Sequence, residues 1–173
     1  MKRKIILIIN SIIFIFVAFS SFSVTAEYRR DVFERISISD ADLPEGFVFG
    51  KIPNFARTTI QNNPWMMDRG AITRLTRNIY PDGDASVVSD IHMAIMARRE
   101  QPYGDDLVCY MILFKDAGSA KKEIAKIEEF TRYNRDRVLV YSKENLAVVL
   151  HVDDADDFGY IEKMAKNIEA RLQ

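Results

Sequence analysis

The sequence predicts an α+β domain in which an antiparallel sheet of about five strands carries three helices. Three patterns predict it. Apolar residues alternate at period two over residues 87–97, run unbroken from Leu107 to Phe114, and recur at steps of three and four over residues 158–172. These mark a strand with one wet face, a strand apolar on both faces, and an amphipathic helix.

Turn and cap signals order the elements. Asp42-Leu43-Pro44-Glu45-Gly46 is a turn cluster that launches a short strand, Phe47-Val48-Phe49. Asn63-Pro64 offers an N-cap followed by proline at the first helical position, which predicts a first helix over 64–80 with Trp65, Ile72, Leu75 and Ile79 on its buried stripe. Tyr80-Pro81-Asp82-Gly83 suits a type I turn. Gln101-Pro102-Tyr103-Gly104-Asp105 joins the next two strands as a hairpin. Asp116 caps a second helix with Ala120, Ile124, Ile127 and Phe130 as its stripe. Residues 138–141 and 146–152 form another hairpin with a polar tip at 142–145. In the last helix Phe158, Ile161, Ala165, Ile168 and Leu172 share a face, acids crowd the start, and Lys163, Lys166 and Arg171 follow as the macrodipole prefers.

This succession matches a split βαβ, or ferredoxin-like, core with strand order 4-1-3-2 and an added C-terminal strand and helix, the strand from Leu146 extending the sheet beyond its hairpin partner. A different α/β/α sandwich around an antiparallel sheet is the alternative. The strand from Leu107 has Leu107, Cys109, Met111 and Leu113 on one face and Val108, Tyr110, Ile112 and Phe114 on the other. Both faces need cover. With two helices on one side, the candidates for the other are the last helix, the segment before Phe47 or another protein, and the last helix is expected to contribute.

Export is the clearest signal outside the fold. Lys2, Arg3 and Lys4 precede an apolar stretch from Ile5 to Phe19, and Ser20 to Ala26 is rich in small residues. Residues 1–26 therefore read as a secretory signal cut after Val24-Thr25-Ala26, leaving 27–173 as one domain, periplasmic or extracellular. An apolar run of about 15 residues is shorter than the roughly 20 that a spanning helix needs, so no stable membrane span is expected after cleavage. The abundance of Ile and Phe in the signal fits a bacterium with an AT-rich genome.

Charge and cysteine narrow the chemistry. Removing the signal leaves 21 basic against 25 acidic residues, a net charge of about −4, which argues against nucleic acid as a partner. The lone cysteine, Cys109, closes no intramolecular disulfide and sits in an apolar run, where a thiol acts as a small hydrophobe.

No catalytic set emerges. There is no G-x-S-x-G elbow and no G-x-G-x-x-G or Walker loop, so no cofactor is expected. His151-Val152-Asp153-Asp154-Ala155-Asp156-Asp157 is the densest set of metal-ligand residue types, but it fails the EF-hand spacing and reads as helix capping. His92 and His151 are expected half-exposed on opposite edge strands, about 19 Å apart, too far to share a metal ion. Trp65, Met66 and Met67, at the opening of the first helix, form a polarizable cluster of the kind that lines ligand grooves, and Tyr103 occupies a hairpin tip. These four are the candidate ligand- or partner-binding residues. The expected function is a non-catalytic binding or interaction module of the cell envelope, its partner an unidentified small molecule or envelope protein. The alternative is a small extracytoplasmic enzyme using dispersed carboxylates such as Asp105 and Asp106.

Overall fold

The computed structural model describes residues 30–173; the signal segment 1–26 lies outside them. The protein is α+β, with six antiparallel strands and four helices among the described residues. In chain order these are α1 (Arg30–Ile36), β1 (Phe47–Phe49), β2 (Trp65–Met66), α2 (Arg69–Ile79), β3 (Val88–Arg98), β4 (Leu107–Phe114), α3 (Ala117–Thr131), β5 (Val138–Lys143), β6 (Leu146–Val152) and α4 (Phe158–Arg171). No described helix is long and apolar enough to cross a membrane.

The sheet runs β1-β3-β4-β6-β5, with β2 also paired to β3. This is not the order 4-1-3-2, so the ferredoxin-like core is not confirmed. Two residue patterns explain the difference. β6, Leu-Ala-Val-Val-Leu-His-Val, is buried at all but one position and so needs an inner place beside β4 rather than an edge. β1 has only three residues and pairs only with β3, Phe47 opposite Arg98. β4 and β5 both run antiparallel to β6 and are joined across one face by α3.

The alternation expected for β4 holds. Leu107, Cys109, Met111 and Leu113 meet α4 through Ile161, Met164, Ala165, Ile168 and Leu172, together with Phe33 and Ile36 of α1. Ile112 and Phe114 belong to the opposite cluster, with Ala71 and Ile72 of α2 and Ala120, Ile124 and Ile127 of α3. The result is a three-layer arrangement with helices on both faces. Cys109 is fully buried, and desolvation pushes its thiol well above the ordinary range, as expected for a structural hydrophobe.

Local departures have local causes. The first predicted helix begins at Arg69, five residues later than expected, because Asp68 is its N-cap, accepting the Ala71 N–H at 2.8 Å. Trp65 and Met66 form β2 instead, Trp65 opposite Met93 and Met66 opposite His92. Asp82 has φ 56°, and a positive φ at the third position fits a type II turn rather than type I. Gly83 is required beside it: a Cβ there would lie 2.8 Å from Thr76 Cγ2 and 3.1 Å from the Tyr80 ring. Phe130, assigned to the buried stripe of α3, is 49% exposed because it lies in the last turn, at the rim of the layer.

That loop is fastened to α3 through a buried carboxylate. Glu123 accepts the Tyr80 hydroxyl at 2.7 Å, the Asp84 N–H at 2.9 Å and the Lys126 ammonium at 2.6 Å. Burial alone would raise its pKa, but these hydrogen bonds prevail and hold it below the ordinary glutamate value.

Candidate functional site

The long connection between β1 and β2 builds the site. After β1 the Gly50 N–H donates to Ile95 O at 2.9 Å and the Lys51 N–H to Pro102 O at 2.6 Å, so the outgoing chain is bonded to β3 and to the tip of the β3–β4 hairpin. A Cβ on Gly50 would stand 3.1 Å from Gly104 O, so glycine permits this close approach. The chain then makes a 3-10 turn, Asn54–Ala56, and returns at Asn63.

Asn63 does the work of a strand residue with its side chain. Its amide nitrogen donates to Gly50 O at 2.7 Å and Ile95 O at 2.6 Å, and its amide oxygen accepts the Ile95 N–H at 2.8 Å. It bridges the stretch of β3 between the partners of β1 and those of β2. The N-cap role expected for Asn63 is therefore not the one it plays.

A groove of about 380 Å³ opens here, lined by Phe49, Lys51, Arg57, Gln61, Asn63 and Tyr103 among others. Tyr103 is 65% exposed, with the Lys51 ammonium 5.9 Å from its ring centre. Phe55, on the 3-10 turn, is 85% exposed. From residue 46 to 63 the only charged side chains are Lys51 and Arg57. Aromatic faces that stack, cations, and an amide that orders the backbone suit recognition of a ring-bearing ligand with an anionic group.

Of the four sequence candidates only Tyr103 lies in this groove. Trp65 and Met67 are buried under α2, and half-buried Met66 packs on the other face of the sheet. Met66 and Met67 also border a separate depression with Asp68, Arg69, Ser89 and Asp90. Lys51, Phe55 and Arg57 escaped the sequence reading because they obey no helix or strand period. The available signal was the length of the connection, since loops of more than about 12–15 residues inside a compact domain are often functional.

The histidines differ from expectation. His92 is 95% buried on the interior strand β3, and its Nδ1 has no hydrogen-bond partner. Desolvation pushes its pKa down to about 4. By strand alternation it shares the face of Ala94 and Met96, whereas His151 shares the opposite face with Val149. Only β4 separates their strands, so the lateral distance is roughly 10 Å rather than 19 Å, yet they point to opposite sides. Asp90, two residues before His92, accepts the Ser89 hydroxyl at 2.7 Å and lies 3.3 Å from the Arg30 guanidinium.

The acidic segment 153–157 is engaged in structure. Asp154 accepts the Asp156 N–H at 3.0 Å, and both oxygens of Asp157 take the Arg98 guanidinium, at 2.5 and 2.7 Å. Arg98 also lies over the Phe47 ring at 4.5 Å, tying β1 and β3 to the start of α4. Asp106 accepts the Arg98 N–H at 2.9 Å and closes the β3–β4 hairpin. No known protein family, curated protein or solved structure matches this chain.

Proposed function

We propose that the chain is an exported, non-catalytic binding module of the bacterial envelope, and that the groove beside Tyr103 takes a small ring-bearing ligand with an anionic group. The observation that carries the reading is that exposed Tyr103, on the β3–β4 hairpin, shares the groove with Lys51 and Arg57 of the β1–β2 loop, which Gly50, Lys51 and Asn63 tie down and which also carries exposed Phe55. Exposed aromatics on an anchored loop place contact area in solvent at little further ordering cost. Export rests on the Lys2-Arg3-Lys4 start, the apolar stretch and the Val24-Thr25-Ala26 end.

Two measurements test it. N-terminal sequencing of the protein from the extracytoplasmic fraction should begin at Glu27, and a chain retaining Lys2–Lys4 in the membrane fraction would reject export. Oligogalacturonate, an acidic saccharide probe, should shift the NMR signals of Gly50, Lys51 and Gly104 in the wild type and not in Y103A. Neutral oligogalactose should act more weakly. Absence of localised shifts with the acidic probe would reject this ligand class.

A further inference from the structure

The two edges of the sheet are finished differently. On one side β3 is covered by strands of three and two residues with the Asn63 amide between them. Short strands and irregularities are how proteins keep an edge from pairing with another chain. β5, on the other side, has none of these devices. Residues 138–142 are Val-Leu-Val-Tyr-Ser, without proline, glycine, charge or register shift, and no described strand lies beyond them.

The direction of the backbone groups follows from the β5–β6 register. Lys143 pairs with Leu146 across a two-residue loop, and Arg137 O accepts the Val152 N–H at 2.9 Å. Residues 137, 139, 141 and 143 thus turn their peptide groups to β6, and Val138, Val140 and Ser142 turn theirs outward. The Val138 N–H is taken by Asn134 O at 2.8 Å. Among the described residues nothing takes the Val138 carbonyl or either peptide group of Val140 and Ser142.

A strand that pairs here must be apolar on both faces, because Val138 and Val140 border one core cluster while Leu139 and Tyr141 border the other. β5 itself meets that demand. We infer that β5 is a self-association edge, on which a second copy of this chain pairs its own β5 antiparallel about a two-fold axis through Val140.

This register uses the free groups. Val140 exchanges two hydrogen bonds with Val140 of the second copy, and each Ser142 N–H donates to the opposite Val138 carbonyl, four bonds in all. It sets Arg137 opposite Lys143 of the other copy, but both charges are drawn back to their own chain. The Arg137 guanidinium donates to Asp153 O at 2.7 Å and the Lys143 ammonium to Leu172 O at 3.0 Å. An axis normal to the sheet also brings the ends of both α3 helices to the same face. There Thr131, Arg132 and Arg135 border Val138 and Val140, and Phe130 and Tyr133 are 49% and 78% exposed. At roughly 200 Å² for a fully exposed ring residue, those two offer roughly 250 Å² per copy. With one strand edge added, this falls short of the roughly 800 Å² per partner of a standard interface, so the dimer is weak and forms in the micromolar range.

Sedimentation velocity of the purified protein from about 1 to about 500 µM spans that range. The mass should double with concentration, and amide exchange at Val140 and Ser142 should slow in parallel. V140P deletes two of the four bonds without touching a group that faces β6, and should weaken association at least tenfold. V140T keeps the N–H and should stay within about threefold, on the scale of a tolerated edge substitution. A monomer at every concentration overturns the inference, as does a dimer indifferent to V140P. Slow Val140 and Ser142 amides in a monomer also overturn it, since another segment would then hold the edge. Exchange on the unmodified chain decides the matter even if V140P does not fold.

Discussion

Replacing His92 with leucine should raise stability in acid while leaving neutral stability unchanged or slightly improved. His92 is almost fully buried, its Nδ1 lacks a partner, and burial holds its pKa at about 4 against an ordinary 6.5. As pH falls below 6.5 the unfolded chain takes up a proton that the folded chain refuses. Stability tied to this residue is therefore whole above about pH 6.5, declines between 6.5 and 4, and falls no further below that. At about 1.36 kcal/mol per pH unit the decline is on the order of 3 kcal/mol. Leucine has similar bulk and no proton to bind, and it removes a buried polar atom whose desolvation costs roughly 1–3 kcal/mol. Urea unfolding of both proteins at pH 7.5, 6, 5 and 4 isolates the effect, because the carboxylates that also titrate cancel in the difference. The advantage of His92→Leu should grow by about 3 kcal/mol from pH 7.5 to 4. A difference that stays constant over that range would refute the linkage between burial and proton uptake.

Glu123→Gln should cost roughly 2–3 kcal/mol at pH 7, since three donors lose a charged acceptor. Because the folded pKa of Glu123 is lowered, the stability it lends is present above the ordinary glutamate value and lost as pH falls through the folded one. The variant should lack that loss in an acid titration followed by circular dichroism. Glu144 has φ 53° in the β5–β6 turn, so Glu144→Asn should stabilise by about 0.5–1 kcal/mol, read as a higher melting temperature. Truncation after Asp154 should leave an unfolded or aggregated chain by size-exclusion chromatography, because it strips four buried side chains, Ile161, Met164, Ile168 and Leu172, worth roughly 1.5–3 kcal/mol each.

Wherever burial imposes a period, the fold was legible. β3, β4, β6, α3 and α4 stand where their apolar spacing placed them, and the two faces of β4 meet the helices that their composition required. Strand order was not legible from period, since a strand apolar on both faces calls for two neighbours without naming them. Composition still held a clue in β6, whose nearly uniform apolarity fits an inner strand better than the edge a ferredoxin-like template assigned. Near Asn63 a local rule misled. Asn-Pro is a good helix opening by itself, but here the Asn63 amide meets peptide groups of β3, 32 residues away in sequence, and the helix waits for Asp68. Tyr103 was legible as a hairpin-tip aromatic, whereas Phe55 lies on short local turns between anchors at Lys51 and Asn63 and leaves no periodic trace.

The exposed aromatics and the core draw on different atoms, as the proposed site needs on a small domain. Phe55 and Tyr103 bury little of themselves, so their side chains contribute little to folding and are free to be chosen for contact. The geometry of the loop depends instead on backbone groups of Gly50 and Lys51 and on the amide of Asn63, none of which needs to change when the exposed side chains do. β3 makes this division possible. Its eleven residues give β4 a ladder along one side, while its other side is shared by β1, Asn63 and β2 in succession. A continuous strand in their place would satisfy the same edge but leave no long loop to carry the groove. The short, interrupted pairing on this side thus both blunts an edge and anchors the two ends of an exposed loop, as the recognition proposed for it requires.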